Sequence, residues 1–171
     1  MAYSRTETTG CQTNAMTTTP TLTALRYGLL LAETACYHCQ AITPTAAIWV
    51  GDYQEHDEEG ELVDQDAAAL LKYAVWLDEG ATALFATHAP WVKLAPTQTA
   101  GLTYWANDCR VCGSVQGDHF VQGVDGPYWP EDEKAWVSLS YEPGIGPIRA
   151  VAEASRSVWM EQVESRRLKR P

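Results

Sequence analysis

The sequence predicts an α+β fold in which an antiparallel β core carries an inserted helix and is followed by a C-terminal helix. Three observations lead to this class. Two Cys-x-x-Cys pairs, Cys36–Cys39 and Cys109–Cys112, are separated by the long segment 40–108. Short apolar runs bounded by Gly and Pro are typical of strands, and two longer segments show helical spacing of apolar residues.

Composition is consistent with one domain of ordinary size. The chain has 171 residues, 46% of them hydrophobic, and seven Trp, which is enough to form a substantial core. Residues 1–20 are rich in Thr and poor in apolar side chains, so a disordered leader is expected there. We expect residues 21–171 to form a single metal-stabilised domain, with an insert at about 51–100.

Charge limits the classes of partner. The formal net charge is −10, so most of the surface repels nucleic-acid phosphates, which favours a basic protein partner. The longest apolar runs, such as Ala46–Val50, are far shorter than a membrane span. The N-terminus does not have the pattern of a secretory signal, so a cytoplasmic, reducing location is expected, and this favours metal over disulfides at the Cys pairs.

The first half of the chain contains one candidate strand and two candidate helices. Leu22, Leu25, Leu29 and Leu30 recur at helical spacing, although a short helix that runs into a strand is the alternative. Ala46–Val50 is a predicted strand. Segment 52–66 carries eight carboxylates and no Lys or Arg and is predicted to be a loop, ending at Asp64 as the N-cap of a helix over 65–79 that stops at Gly80.

The second half is predicted to be mainly short strands followed by a helix. The final helix is predicted from Ser155 to Lys169, and Ile148–Ala152 is predicted to pair back on the strand before it. The other expected strands are Thr82–Thr87, Trp91–Leu94, Gly101–Trp105, His119–Gln122 and Trp136–Tyr141.

The Cys pairs predict a metal site. In Cys109-Arg110-Val111-Cys112-Gly113 a tight turn directs backbone N–H groups at the sulfurs, and Gly tolerates the positive φ that this turn requires. Four thiolates from Cys36, Cys39, Cys109 and Cys112 would enclose a tetrahedral, structural Zn²⁺.

Other readings of the cysteines stay open at this stage. Cys36–Cys39 has the spacing of a redox pair, but that chemistry needs a helix to start at the pair, and Pro44 disfavours helical geometry at Thr43. Unlinked core thiols are a further alternative, and either His38 or His119 could replace a thiolate. Cys11 is expected to be a bystander in the leader.

The segments around the pairs resemble small zinc-ribbon-like proteins of bacteria and phages. Leu102–Trp105, the Cys109–Gly113 knuckle and His119–Val121 have a strand–knuckle–strand layout, and Cys36–Val50 resembles the other half. The resemblance covers about a third of the chain. It implies a zinc-ribbon-like β core, although Gln40 stands where a Gly is expected after the first pair.

The sequence favours a non-enzymatic function. It contains no nucleophile elbow, phosphate loop or His-Glu-x-x-His motif. We expect an acidic zinc-binding protein that binds, and in one version inhibits, another protein, which could itself be nucleic-acid machinery. The candidate contact residues are acidic: Asp52, Glu55, Asp57, Glu58, Glu59 and Glu61. The alternative is a nucleic-acid-binding or regulatory zinc ribbon, with Tyr104, Trp105 and Phe120 stacking on bases beside a basic C-terminus.

Overall fold

The computed structural model describes residues 18–167, so most of the expected leader, including Cys11, lies outside the described residues. Within this range there are nine strands: β1 Leu22–Ala35, β2 Ile42–His56, β3 Leu62–Gln65, β4 Ala69–Leu77, β5 Val92–Thr97, β6 Leu102–Asp108, β7 Val115–Gln116, β8 Ser140–Pro143 and β9 Ile148–Arg156. The helices are short: α1 Glu79–His88, α2 Asp118–Val121, α3 Glu133–Val137 and α4 Gln162–Arg167, with a 3-10 turn at Val158–Glu161.

The strands form two antiparallel sheets. The larger sheet has the order β3-β2-β4-β9-β1-β8 and closes on itself, because β1 pairs with β2 along almost its whole length. The smaller sheet has the order β5-β6-β7. This architecture agrees with the predicted α+β class, and α1 lies between the two Cys pairs as an inserted helix.

The closed sheet has a core on each of its faces. Leu22, Tyr27, Leu29, Ile48 and Ile148 belong to one buried cluster, which also receives Ala81 and Phe85 from α1. The second cluster lies on the other face of β1, β2 and β4, where the chain after α2 and the C-terminal segment cover Leu30, Trp49 and Leu70. Apolar side chains on both faces therefore sit out of contact with water.

The double burial explains why the helix predicted from the leucines at 22–30 is wrong. A strand with one solvated face alternates apolar and polar residues, whereas a strand covered on both faces can carry consecutive apolar residues. Leu29 and Leu30 enter different clusters, so their adjacency imitated helical spacing. Leu25 is 81% exposed and does not belong to either core.

The helix predicted over 65–79 is also wrong, since most of this segment is the strand β4, Ala69–Leu77. The register of β4 against β9 shifts between Lys72 and Trp76, and Tyr73 has a φ of 50°. Such a bulge interrupts the strict alternation of a strand and produces spacings that resemble a helix. The helix instead begins at Glu79, where Asp78 is the N-cap and accepts a hydrogen bond from the Ala81 N–H at 3.0 Å. Gly80 lies in its first turn rather than after its end.

The acidic segment 52–66 is a hairpin rather than a loop. Its residues continue β2, turn at 57–61 and return as β3. Asp57 stabilises the turn, because its Oδ1 accepts the backbone N–H groups of Glu59 and Glu61 at 3.0 and 2.8 Å. Asp64 lies in β3 and is therefore not a helix N-cap.

Several later elements also differ from expectation. Residues 82–87 lie in α1, 119–121 in α2 and 136–137 in α3. The strands expected near 91–94, 101–105 and 148–152 are confirmed as β5, β6 and β9. However, β9 pairs with β1 and β4 rather than with the segment before it, and it continues to Arg156, so the C-terminal helix α4 begins only at Gln162.

Asn107 joins the two sheets. Its side chain is buried and pairs with the backbone of Ala46 in β2, accepting the N–H at 2.7 Å and donating to the carbonyl at 3.0 Å. A second link is the Arg110 N–H, which donates to Thr43 Oγ1 at 3.1 Å. The smaller sheet is therefore held against the first residues of β2 by polar contacts.

We predict that Asn107→Ala lowers the free energy of unfolding by about 2–4 kcal/mol, because it leaves a buried N–H and a buried C=O without partners. Urea unfolding followed by circular dichroism measures this loss. The control is Gln54→Ala, which removes a solvent-exposed hydrogen bond to Asp64 and should change stability by less than about 0.5 kcal/mol. Equal effects of the two substitutions would contradict the proposed link.

Candidate metal centre

The two Cys pairs occupy the tips of two hairpins. Cys36 and Cys39 lie in the turn that joins β1 to β2, and Cys109 and Cys112 lie in the turn that joins β6 to β7. One tip comes from each sheet. The closing of the larger sheet and the Asn107 link bring the two tips together.

The two turns share the same backbone pattern. The first Cys of each pair donates its N–H to the residue five positions on, at 2.9 Å for Cys36 and 2.8 Å for Cys109. Its C=O accepts the N–H of the residue four positions on, which is Gln40 or Gly113. Its Sγ accepts the N–H of the residue two positions on at 3.4 Å in both turns. The two turns therefore present their sulfurs with the same backbone geometry.

Gln40 occupies the position in the first turn where a Gly was expected, and it adopts the conformation that this position requires. It has a φ of 60°, close to the 73° of Gly113 at the equivalent position. The left-handed conformation is costly for a residue with a Cβ, and the Gln40 side chain offsets part of this cost by donating to the Tyr37 carbonyl at 3.2 Å. The first turn therefore keeps the knuckle geometry without glycine.

The four predicted sulfurs come together. Cys36 Sγ lies 3.7 Å from Cys112 Sγ, and Cys39 Sγ lies 3.8 Å from Cys109 Sγ. All four sulfurs lie within 4.8 Å of one another. A regular tetrahedron with a metal–sulfur distance of about 2.3 Å has edges of about 3.8 Å, which matches the two cross-pair distances. The sulfurs are too far apart for disulfides, whose bond is about 2.05 Å.

The surroundings of the sulfurs favour thiolates unequally. Hydrogen bonds from the backbone N–H groups of Cys112 and Val111 lower the pKa of Cys109 to about 6 against the cost of desolvation. Hydrogen bonds with Ser114 lower the pKa of Cys112. A backbone hydrogen bond at Ala41 favours the Cys39 thiolate, but desolvation and its hydrogen bonds with the other three cysteines raise the pKa of Cys39 to about 12. A cation held by all four sulfurs would therefore have to displace the proton of Cys39, because only a deprotonated sulfur is a metal ligand.

Gln116 completes the centre and was not identified from the sequence. Its side chain is 1% exposed, donates from Nε2 to Cys36 Sγ at 3.3 Å and accepts the Tyr37 N–H at 3.2 Å. Nε2 also donates to the Ser114 carbonyl at 3.1 Å. Gln116 thus ties the second hairpin to the first turn. No pattern in the sequence could have indicated this, because it depends on how the two sheets dock.

The structure gives less support to a redox role for Cys36 and Cys39 and to a histidine ligand in place of a cysteine. No helix begins at Cys39, since the chain passes directly into β2 at Ile42, so the structural requirement of a thioredoxin-like redox pair is not met. Among the described residues, the cluster of potential ligands consists of the four Cys and includes neither His38 nor His119.

The predicted contact residues lie on the β2–β3 hairpin rather than at the centre. Asp52 forms an ion pair with Arg26 at 2.5 Å, and residues 57–61 form the exposed hairpin turn. The three aromatic residues considered for base stacking are engaged elsewhere. Tyr104 is buried, Trp105 stacks on Phe85, and Phe120 stacks on Tyr37 with ring centroids 4.5 Å apart.

Asp118 is a buried carboxyl behind the second knuckle. It is 6% exposed, and its Oδ2 accepts the N–H of Tyr73 at 2.7 Å, which supports the bulge in β4. Its own N–H donates to the Tyr104 hydroxyl at 2.9 Å. Burial raises the pKa of Asp118 to about 7, although the Tyr73 N–H and Lys72 oppose the shift.

Comparison with known proteins does not place the chain in a family. No protein-family model matches it, and neither a curated protein nor a solved structure is significantly similar to it. The evidence for a zinc site is the geometry of the four cysteines. The comparisons do not identify the chain as a zinc ribbon. Within residues 18–167, none of the helices has both the length and the apolar character needed to cross a membrane.

The positive φ at the equivalent positions of the two knuckles leads to a prediction about the free energy of unfolding. Gly113→Ala should lower the free energy of unfolding by about 1–2 kcal/mol, because an Ala at positive φ is strained while a Cβ at this position has no atom within 4 Å. Gln40→Gly removes the equivalent strain and should leave stability unchanged or higher. Chemical unfolding measures both, and a Gln40→Gly variant as unstable as Gly113→Ala would contradict the argument.

The raised pKa of Asp118 predicts that the stability of the fold depends on pH. Its pKa is raised to about 7 in the folded protein and is about 3.9 in an unfolded chain, so folding takes up a proton between these values. The stability linked to this proton is fully present below about pH 4 and is lost as the pH rises through about 7, with a slope of at most about 1.4 kcal/mol per pH unit.

Asp118→Asn keeps a hydrogen-bond acceptor for Tyr73 but does not titrate. The difference in unfolding free energy between the two proteins should therefore change between pH 5 and pH 7 and level off above that, as measured by urea unfolding. A difference that stays constant over this range would show that Asp118 titrates normally.

Proposed function

We propose that this protein is a non-enzymatic, acidic interaction domain whose two sheets are held together by one structural Zn²⁺. The observation that carries the zinc assignment is the arrangement of four Sγ atoms with cross-pair distances of 3.7 and 3.8 Å. Sulfur donors in tetrahedral array suit Zn²⁺ or iron. Zn²⁺ is the better choice for a purely structural role because it has no redox chemistry.

A structural rather than a catalytic role is supported by the donor set. Four cysteines at tetrahedral spacing leave no position for water or substrate, whereas catalytic zinc sites keep one open. Cys36 and Cys109 are buried, while Cys39 and Cys112 are exposed. The ion would stabilise the protein by joining two hairpin tips that are distant in sequence.

The interaction role is supported by charge and by the lack of catalytic motifs. With a net charge of −10, the protein would attract basic partners over long range. The acidic hairpin is the basis for proposing that the protein inhibits its partner, which could itself act on nucleic acid. Nucleic-acid binding by the domain itself is less favoured, because the rings named for stacking are buried or paired.

The zinc assignment predicts the metal content of the protein. Purified protein should contain one Zn²⁺ per chain, and Ser substitution of Cys36, Cys39, Cys109 or Cys112 should abolish stoichiometric binding and lower the melting temperature sharply. Structural zinc contributes about 10–16 kcal/mol in zinc-finger peptides at neutral pH. Elemental analysis and thermal unfolding are the measurements.

The one cysteine outside the two pairs, Cys11, offers a matched control. Cys11→Ser should leave both metal content and melting temperature unchanged. If a Cys variant fails to fold, substitution of the wild type with Co²⁺ provides a separate readout, since tetrahedral thiolate coordination gives characteristic absorption. A stable, metal-free wild-type protein would overturn the zinc assignment, and stoichiometric iron would overturn the identity of the metal.

A further inference from the structure

A broad groove on the far side of the first knuckle is not explained by the metal centre. It has a volume of about 990 Å³ and lies between the end of β1, Pro44 in β2, the loop 125–132, and the chain from α3 to β8. Its size is at the upper end of ligand sites, and it is open along one side. This shape fits an extended segment better than an enclosed small molecule.

The charged side chains that line the groove are all negative. Four carboxylates line it, from Glu33, Asp125, Glu131 and Asp132, and the side chains that line it include no Lys, Arg or His within residues 18–167. Asp132 is committed to the fold, because its Oδ1 accepts the Ala135 N–H as the N-cap of α3 at 2.8 Å. Glu33, Asp125 and Glu131 are exposed and form no ion pair among the described contacts.

An exposed aromatic ring lies among these carboxylates. Trp129 also lines the groove, and it is 53% exposed, which is unusual for so large an apolar side chain. The face of an indole attracts cations, and a guanidinium can stack on it while it pairs with a neighbouring carboxylate. The same chain shows this preference at Trp91, where the Arg110 guanidinium lies 5.8 Å from the ring centroid.

The acidic hairpin lacks this combination. Its carboxylates at 57–61 surround a turn, and one of them, Asp57, is occupied by the backbone of that turn. The aromatic residue of the hairpin, Tyr53, is buried, and the cavity of about 680 Å³ that Asp52, Asp64 and Asp66 line also contains the cationic side chain of Arg149. The groove differs from the hairpin because it combines an exposed ring with a lining that carries only negative charge.

We propose that the groove, rather than the hairpin, binds an arginine-containing extended segment of a partner protein. One guanidinium stacks on Trp129, and neighbouring cations pair with Glu33, Asp125 and Glu131. This inference rests on the interaction role proposed above and names its site and the chemistry of its partner.

The test uses a fluorescein-labelled peptide of alternating glycine and arginine with three arginines, and a second peptide with neutral citrulline in place of each arginine. Fluorescence anisotropy with the full chain should show binding of the arginine peptide that weakens with salt, and binding of the citrulline peptide at least about tenfold weaker. Absence of arginine-peptide binding even at low salt would overturn the proposal.

Two variants with equal net charge separate the groove from the general acidity of the protein. Glu33→Gln/Asp125→Asn/Glu131→Gln should weaken binding by about tenfold or more, whereas Glu55→Gln/Glu58→Gln/Glu59→Gln in the hairpin should weaken it less than about threefold. Equal losses would show that the peptide responds only to net charge. A larger loss in the hairpin variant would move the contact back to the hairpin.

The ring is tested without a change of charge. Trp129→Ala should weaken arginine-peptide binding by about fivefold, while Ile145→Ala, which truncates a 94% exposed side chain elsewhere, should not. An unchanged affinity for Trp129→Ala would overturn the stacking role. Zinc content and melting temperature are measured on every sample, so that failure of the groove in a zinc-replete protein is distinguished from failure of the metal assignment.

Discussion

The structure depends on one constraint, which is that two hairpin tips from different sheets must meet. The β1–β2 turn belongs to the closed sheet and the β6–β7 turn to the small sheet, and the four sulfurs lie where they touch. Around them, Asn107 pairs with Ala46 and Gln116 reaches Cys36. Because these residues are remote in sequence, bringing them together costs chain entropy. A bound ion at the tips would offset part of that cost in one place.

The sequence was most informative about the centre and least informative about the elements around it. Four thiols at paired spacing have one dominant chemical use, so the cysteines could be grouped without any knowledge of the strands between them. The strands were harder to predict because β1 is buried on both faces and β4 contains a bulge. Both features remove the period-two alternation on which strand prediction relies. Gln116 and Asn107 act across sheets, where local pattern carries no signal.

The bulge in β4 shows how the region behind the centre is held in place. Tyr73 has a positive φ, which is costly for a bulky residue, and the Asp118 carboxylate accepts its N–H. Asp118 begins α2 immediately after β7, which carries Gln116. The same short stretch therefore supports the strained strand on one side and the Cys36 sulfur on the other. A buried carboxyl is an expensive support, and its raised pKa is the consequence of that burial.

The candidate metal centre and the groove are linked through residues of the second knuckle, so the proposed structural and binding roles are coupled. Pro44, which lines the groove, follows Thr43, whose hydroxyl accepts the Arg110 N–H inside the second knuckle. Arg110 in turn lies over Trp91, which also lines the groove. Loss of the metal would free the second knuckle and with it the contacts that position Thr43 and Trp91. In this protein the ion would act on binding through the shape of the groove, although it would never touch the partner.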